Sequence, residues 1–199
     1  MKRSEINAIM READAFIRKQ GFFLPPFAYW TPQEWTQKGE DVREIAANAM
    51  GWDITDFGKG DFAKFGLFLF TIRNGSPENL KTGNGKVYAE KLIVIREQQV
   101  TPMHFHWSKT EDIINRGGGG KFVLRLYNAT ADEGFAETEI VASIDGVKRA
   151  IPAGGTVTRR SLGCTVCTRR PCGCARCTRC AVRCNVRCTC NARRAHVRP

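Results

Sequence analysis

Thr101-Pro102-Met103-His104-Phe105-His106-Trp107-Ser108-Lys109-Thr110-Glu111 is the stretch that says most about the fold and chemistry of this 199-residue chain. Residues i and i+2 of a β-strand point to the same face, so the imidazoles of His104 and His106 can enter one cavity. Glu111 would arrive from the next turn or strand. Two imidazoles and a carboxylate suit Mn, Fe, Co, Ni or Zn better than Mg or Ca, which prefer all-oxygen shells. The pattern predicts a metal site, although an isolated His-x-His pair also occurs on surfaces and in cores.

On either side of this stretch, the chain changes from helical to strand-like patterns. Apolar residues at helical spacing follow Ser4, and Gly21 predicts the end of this amphipathic helix. Thr31-Pro32-Gln33-Glu34 reads as a capped helix start, so a second helix, or two short ones, should run to about Met50. Beyond Phe65, short strand-like runs are separated by Gly, Asn, Asp or Pro; they span residues 66–72, 87–95, 99–106, 122–127 and 137–144. This order predicts a mainly β barrel or sandwich with an N-terminal helical extension.

The composition divides the chain near Thr158. Residues 159–199 contain eleven Arg, all nine Cys and no acidic residue, whereas all 19 aromatic residues precede them. The formal net charge of +11 therefore belongs to this tail, and residues 1–158 are neutral, with 20 basic and 20 acidic side chains. The basic pI thus gives no reason to expect nucleic-acid binding by residues 1–158. We predict two regions, a body of residues 1–158 and an Arg/Cys-rich tail of residues 159–199.

The body has the features of a cytoplasmic protein without a membrane partner. No stretch approaches the roughly 20 apolar residues of a membrane span. The charged start Met1-Lys2-Arg3-Ser4-Glu5 lacks the apolar core of a signal peptide. The absence of Cys from the body agrees with a reducing compartment.

The body also resembles a known family. His104-x-His106, Glu111 and Gly118 have the spacing of the first conserved motif of the cupin superfamily. Three longer stretches are similar to D-lyxose isomerases, a family of bacterial cupins: Ala28-Tyr29-Trp30-Thr31-Pro32, Lys86-Val87-Tyr88-Ala89-Glu90-Lys91 and residues 101–119. The resemblance covers about residues 1–158 and implies a cupin-like double-stranded β-helix barrel with N-terminal α-helices. In that fold, Gly117-Gly118-Gly119-Gly120 would mark a turn, and a flexible surface loop is the alternative.

The resemblance also implies an activity. Members of the family interconvert D-lyxose and D-xylulose, and many interconvert D-mannose and D-fructose, using a divalent metal that is usually Mn²⁺. His104, His106 and Glu111 would be three of four protein ligands. The metal would grip O1 and O2 of the sugar and stabilise a cis-enediolate, while a base moves a proton between C1 and C2. A homodimer is common among cupins.

Four further residues are candidates for the site. Lys109 lies beside the ligands and is the candidate for electrostatic support or proton transfer; a solvated lysine on a turn is the alternative. Trp30, Lys91 and Trp107 are candidates for a sugar pocket, because aromatic rings offer apolar faces and lysine offers a hydrogen-bond donor. Core packing is the alternative for both tryptophans.

The chain departs from the family pattern after Thr158. In the family, a Pro-Gly turn and a histidine, the fourth metal ligand, follow a segment like residues 152–158. Here the chain continues Arg159-Arg160-Ser161-Leu162-Gly163-Cys164, and His196 lacks that context. The fourth ligand is therefore unidentified. We expect a barrel that is incomplete at its C-terminal strands, an irregular or disordered tail, weak metal retention and little activity.

Three interpretations of the tail remain open. In a shifted reading frame, the gene would still encode the second motif, and reading the other two frames near the Thr158 codon would test this. As a metal-binding module, the tail would use Cys164-x-x-Cys167 and Cys174-x-x-Cys177-x-x-Cys180, which have zinc-ligand spacing. As a protamine-like arm, its eleven Arg would bind nucleic-acid phosphates. The last two would make the body a non-enzymatic cupin-like scaffold for a zinc- or nucleic-acid-binding tail.

Overall fold

The computed structural model describes residues 1–106, 110–160, 165–168 and 182–189. The chain divides into two compact units, Met1–Ile95 and Arg96–Pro199, which we call the N-terminal and C-terminal units. The compositional boundary near Thr158 lies within the C-terminal unit, and the division into body and tail stays a prediction. None of the helices in the described ranges is both long and apolar enough to cross a membrane.

The N-terminal unit contains four α-helices, two short 3-10 helices and one antiparallel sheet. The α-helices are α1 (Arg3–Lys19), α2 (Pro32–Lys38), α3 (Arg43–Ala47) and α4 (Pro77–Thr82), and the 3-10 helices are Pro26–Ala28 and Gly39–Val42. The strands are β1 (Gly51–Thr55), β2 (Leu67–Arg73) and β3 (Glu90–Val94), in the order β1-β2-β3.

The helix predicted behind Ser4 is confirmed as α1, which packs through one face. Ile9, Ala13 and Ile17 recur every four residues, so they share that face, and they are buried with Phe68 and Phe70 of β2. The second predicted helix is confirmed in its two-part form, because α2 and α3 are separated by a 3-10 turn. The Thr31 cap is present: its hydroxyl accepts a hydrogen bond from the backbone N–H of Glu34.

The described residues of the C-terminal unit form two antiparallel sheets. Its strands are β4 (His104–Phe105), β5 (Glu111–Ile114), β6 (Lys121–Ala129), β7 (Phe135–Ala136), β8 (Ile140–Ile144), β9 (Val147–Ile151), β10 (Thr156–Arg160), β11 (Thr165–Thr168) and β12 (Val182–Thr189). The first sheet has the order β10-β6-β12-β4, with β7 also paired to β6. The second sheet has the order β5-β11-β8-β9.

Alternating side chains supply the core of this unit. In β6 the apolar residues Phe122, Leu124 and Leu126 are buried, and in β8 the buried residues are Ile140, Ala142 and Ile144. Residues two apart in a strand share a face, so each strand presents one apolar face, and β6 and β8 lie close together. The prediction of a mainly β fold with N-terminal helices is confirmed.

Among the described residues of the predicted tail, Arg159 and Arg160 end β10, and two further segments are strands. Strand β11 pairs with β5 and β8, and β12 pairs with β6 and β4. The predicted tail thus contains strand residues at 159–160, 165–168 and 182–189. The physical reason is that strand edges present unpaired backbone donors and acceptors, which segments rich in Val, Thr and Cys can satisfy. Residues 161–164, 169–181 and 190–199, with most of the predicted zinc-spaced cysteines, lie outside the described residues.

Arg159, the first residue of the tail, fits poorly at its position. It stands two residues after the buried Val157 in β10, and its Nε is buried without a hydrogen-bond partner among the residues that the structure describes. Its Nη1 donates to the carbonyl of Thr158, and its Nη2 lies 3.7 Å from an Asp145 carboxylate oxygen. A buried polar atom without a partner costs about 1–3 kcal/mol.

Candidate metal centre

The candidate metal ligands come from two sheets of the C-terminal unit. His104 is in β4, at one end of the first sheet, and His106 follows that strand directly. Glu111 is the first residue of β5, at one end of the second sheet. Glu111 and Ile113 have less exposed positions than Asp112 and Ile114, so alternation places Glu111 on the inward face of β5.

The three side chains converge closely enough to share one ion. One ligand atom from each of His104, His106 and Glu111 can be chosen so that all three lie within 4.8 Å of one another. The Nε2 of His106 lies 3.2 Å from Oε1 of Glu111. Two ligands that are each about 2.1 Å from one ion, at right angles, are about 3 Å apart. The spacing of His106 and Glu111 therefore matches adjacent positions in a coordination shell.

A backbone hydrogen bond orients the first histidine. Nδ1 of His104 lies 3.0 Å from the carbonyl oxygen of Pro102. Because a carbonyl oxygen only accepts, Nδ1 must carry the proton, which leaves the lone pair on Nε2 for a metal. The ring centroids of His104 and His106 lie 5.3 Å apart, and the two ring planes make an angle of 74°. The pair can thus offer two nitrogen ligands from different directions.

The ligand side chains are only partly buried. The side chains of His106 and Glu111 are 35% and 30% exposed. A small ligand can reach a site of this kind, which a catalytic metal centre requires and a closed structural metal site does not. The chemistry of the donor set suits a divalent transition metal that keeps positions open for oxygen atoms of a substrate.

Two of the other predicted site residues, Trp107 and Lys109, lie outside the described residues. The remaining two belong to the N-terminal unit. Trp30 packs edge-to-face with Trp35, with ring centroids 5.1 Å apart, and Nζ of Lys38 lies 4.3 Å from the Trp30 ring centroid. Lys91 is exposed on β3. Contacts of these four residues with a sugar stay predictions.

Tyr29, which precedes Trp30 in one of the family-like stretches, anchors this stretch to α1. Its hydroxyl donates to Oδ1 of Asp14 at 2.6 Å, and Nε of Arg18 donates to the other oxygen of that carboxylate at 2.9 Å. Partial burial, together with the hydrogen bond to Asp14, raises the pKa of Tyr29. The hydroxyl therefore stays protonated and keeps donating at neutral pH.

Sequence reasoning missed Asn115, which directly follows β5. Its Nδ2 donates to the carbonyl oxygens of Gly120 and Arg159, each at 3.2 Å. The signal was present, because an Asn between a strand and a glycine-rich turn often bonds to nearby backbone. Residues 117–119 form a bend at the predicted turn. Gly118 and Gly119 both have positive φ angles, which explains why glycine is required there.

Comparisons with known proteins show which family this chain resembles. The sequence model of the D-lyxose isomerase family matches residues 1–170. A D-lyxose/D-mannose isomerase of Serratia proteamaculans is 44% identical over 168 residues, which cover 84% of this chain and 72% of that protein. A D-lyxose/D-mannose isomerase of Escherichia coli O157:H7 has the same identity and coverage. The family match extends twelve residues past the predicted boundary at Thr158 and ends before β12.

Proposed function

Because this chain belongs to the D-lyxose isomerase family, we propose that it holds a divalent metal ion, Mn²⁺ above all, on His104, His106 and Glu111 and interconverts D-lyxose and D-xylulose. The observation that carries the proposal is the convergence of these three donors from two different sheets. The names of the two relatives add D-mannose, and therefore D-fructose, as a second pair of substrates.

The reaction moves two protons and leaves the sugar's formula unchanged. One proton passes from C2 of the aldose to C1 through a cis-enediolate of the sugar, and another passes between the oxygens on those carbons. A divalent metal at this centre would act as a Lewis acid that polarises the carbonyl oxygen and stabilises the developing negative charge. The partial exposure of His106 and Glu111 leaves room for the sugar to approach.

Other roles in the reaction would belong to side chains of the protein. The hydrogen bond from His104 to Pro102 keeps Nε2 turned towards the metal before the substrate arrives. Lys109, two residues before Glu111, would supply electrostatic support or transfer the proton between the carbons. Trp30, Lys91 and Trp107 would contact the sugar. A homodimer and a cytoplasmic location stay predictions.

The missing second motif limits the activity of this chain. The family resemblance implies a fourth ligand from a histidine, and the sequence after Thr158 provides no histidine in that context. We therefore propose weak metal retention and slow turnover. Family membership does not favour the alternative of a non-enzymatic scaffold with a zinc- or nucleic-acid-binding tail.

Metal add-back tests the proposed function. The purified chain, stripped with EDTA, should not isomerise D-lyxose, and saturating Mn²⁺ should restore a slow conversion that NMR detects as D-xylulose. D-Mannose should be converted to D-fructose in the same way. The absence of conversion of both sugars with Mn²⁺, Co²⁺, Ni²⁺, Fe²⁺ or Zn²⁺ would refute isomerase activity in this chain.

A further inference from the structure

Asn115 joins the two sheets that carry the candidate metal ligands. It follows Ile114, the last residue of β5, and thus belongs to the end of the second sheet. Its acceptor Gly120 immediately precedes β6, and its other acceptor Arg159 is in β10. Strands β6 and β10 pair with each other in the first sheet. One amide group therefore fastens the end of β5 to two neighbouring strands of the other sheet.

The two contacts use the amide nitrogen of Asn115 as the donor to both carbonyl oxygens. Both partners are backbone carbonyl oxygens, so the amide nitrogen, with its two hydrogens, must face them. Both distances are 3.2 Å, and Asn115 is partly buried. The bond to Arg159 uses its backbone, so it does not depend on which side chain stands at that position.

Asn115 lies on the face of β5 that carries Glu111. Positions 111, 113 and 115 are partly buried, whereas positions 112, 114 and 116 are exposed. This alternation places Asn115 four residues beyond Glu111 on the inward face. The opposite end of β5 leads back to the histidines through residues 107–109, which lie outside the described residues. Within the described residues, the amide of Asn115 is thus a direct link between the strand of Glu111 and the sheet of His104.

We propose that Asn115 is a positioning residue for the metal centre, which holds β5 so that the Glu111 carboxylate stays within coordinating distance of His104 and His106. The inference rests on the proposed function, because it assumes that these three side chains bind a metal. Metal affinity falls steeply when a ligand must be reordered before it can bind, and residues that orient ligands typically change affinity 10- to 100-fold.

The unit offers a matched control in Asn128. Its Nδ2 also makes two hydrogen bonds between the sheets, to Oγ1 of Thr138 and to the carbonyl oxygen of Glu139, each at 3.0 Å. Asn128 is in β6, and its partners precede β8, so this clamp fixes neither β4 nor β5 directly. Loss of either amide removes two hydrogen bonds, but only Asn115 is attached to the strand of Glu111.

The test measures Mn²⁺ affinity by isothermal titration calorimetry and the Mn²⁺ electron paramagnetic resonance (EPR) line shape, with circular dichroism as the check of folding. Asn115→Ala should raise the dissociation constant about tenfold and broaden the spectrum, because ligand geometry becomes heterogeneous. Asn128→Ala should keep the dissociation constant within twofold and leave the spectrum unchanged. Asn115→Ser, whose hydroxyl can donate to one carbonyl, should give an intermediate affinity.

The possible results distinguish a failure of the positioning role of Asn115 from a failure of the proposed function. If the unaltered chain binds no Mn²⁺, the metal centre itself is overturned, and this inference with it. If the unaltered chain binds Mn²⁺ and Asn115→Ala binds it within twofold, or Asn128→Ala loses as much affinity, only the positioning role is overturned. If Asn115→Ala fails to fold, Asn115→Ser replaces it as the test. A Mn²⁺ affinity of Asn115→Ser equal to that of the unaltered chain would then contradict the positioning role of Asn115.

Discussion

Replacing Glu111 by glutamine is expected to lower the affinity for Mn²⁺ at least 100-fold and to remove detectable isomerisation of D-lyxose. The two side chains have nearly the same shape, but the amide is neutral and its oxygen is a much weaker metal ligand than a carboxylate. The substitution also removes the anion that lies 3.2 Å from His106. A 100-fold loss corresponds to about 2.7 kcal/mol of binding free energy.

Asp112→Asn is the control for Glu111→Gln. Asp112 is the next residue in β5, and it is exposed on the opposite face of the strand. This substitution removes the same charge from the same strand, so it should change the Mn²⁺ affinity less than twofold. A Glu111→Gln protein that binds Mn²⁺ as tightly as Asp112→Asn would show that Glu111 is not a ligand.

Restoring a family-type C-terminal segment is expected to increase isomerase activity by about 100-fold. The chimera would join residues 1–158 of this chain to the segment of the Serratia relative that follows the equivalent position. By the family resemblance, this segment supplies the fourth ligand and the closing strands. It also replaces Arg159, whose buried Nε has no hydrogen-bond partner in the described part of the chain. The rates of D-lyxose isomerisation with saturating Mn²⁺ would be compared for the chimera and the unaltered chain.

The chimera that also carries Glu111→Gln is the matched control, and it should be inactive. Its inactivity would show that the gain depends on the metal ligands of this chain rather than on the added segment alone. A chimera that folds but is no faster than the unaltered chain would contradict the view that the tail is what limits turnover.

The closeness of the three candidate ligands was predictable because its signal is local. His104, His106 and Glu111 lie within eight residues, and two-residue alternation already places both imidazoles together. The bond from Asn115 to Gly120 has a local signal, but its bond to Arg159 was not predictable, because Arg159 lies 44 positions away along the chain. Sequence spacing shows which side chains can be ligands, whereas the contacts that hold them depend on how the sheets pair.

Strand lengths were harder to predict. A strand was expected over residues 99–106, but β4 contains only His104–Phe105. Gln98 has a positive φ angle, and the backbone N–H of Gln99 donates to Arg96, so a turn occupies the start of this segment. Pro102 has no backbone N–H to donate to a ladder. These breaks leave only two residues of β4 to pair with β12.

The sequence predicted only the first strand of the hairpin that β8 and β9 form. The strand over residues 137–144 was expected, and β8 confirms it, but β9 was missed because Val147, Lys148, Arg149 and Ala150 are all exposed. The sequence signal for β9 was the Asp145-Gly146 pair. These two residues form the turn between β8 and β9, and both have positive φ angles. Turn residues would have identified this strand where hydrophobic periodicity did not.

The most direct test of the metal centre is electron spin echo spectroscopy of the Mn²⁺-loaded chain, which detects nitrogen nuclei bound to the ion. Modulation from two imidazole nitrogens is expected in the unaltered chain. One should remain in His104→Ala and one in His106→Ala, and none should remain when both are replaced. Bound Mn²⁺ without nitrogen modulation, or with modulation that persists in the double variant, would contradict a metal centre on His104, His106 and Glu111.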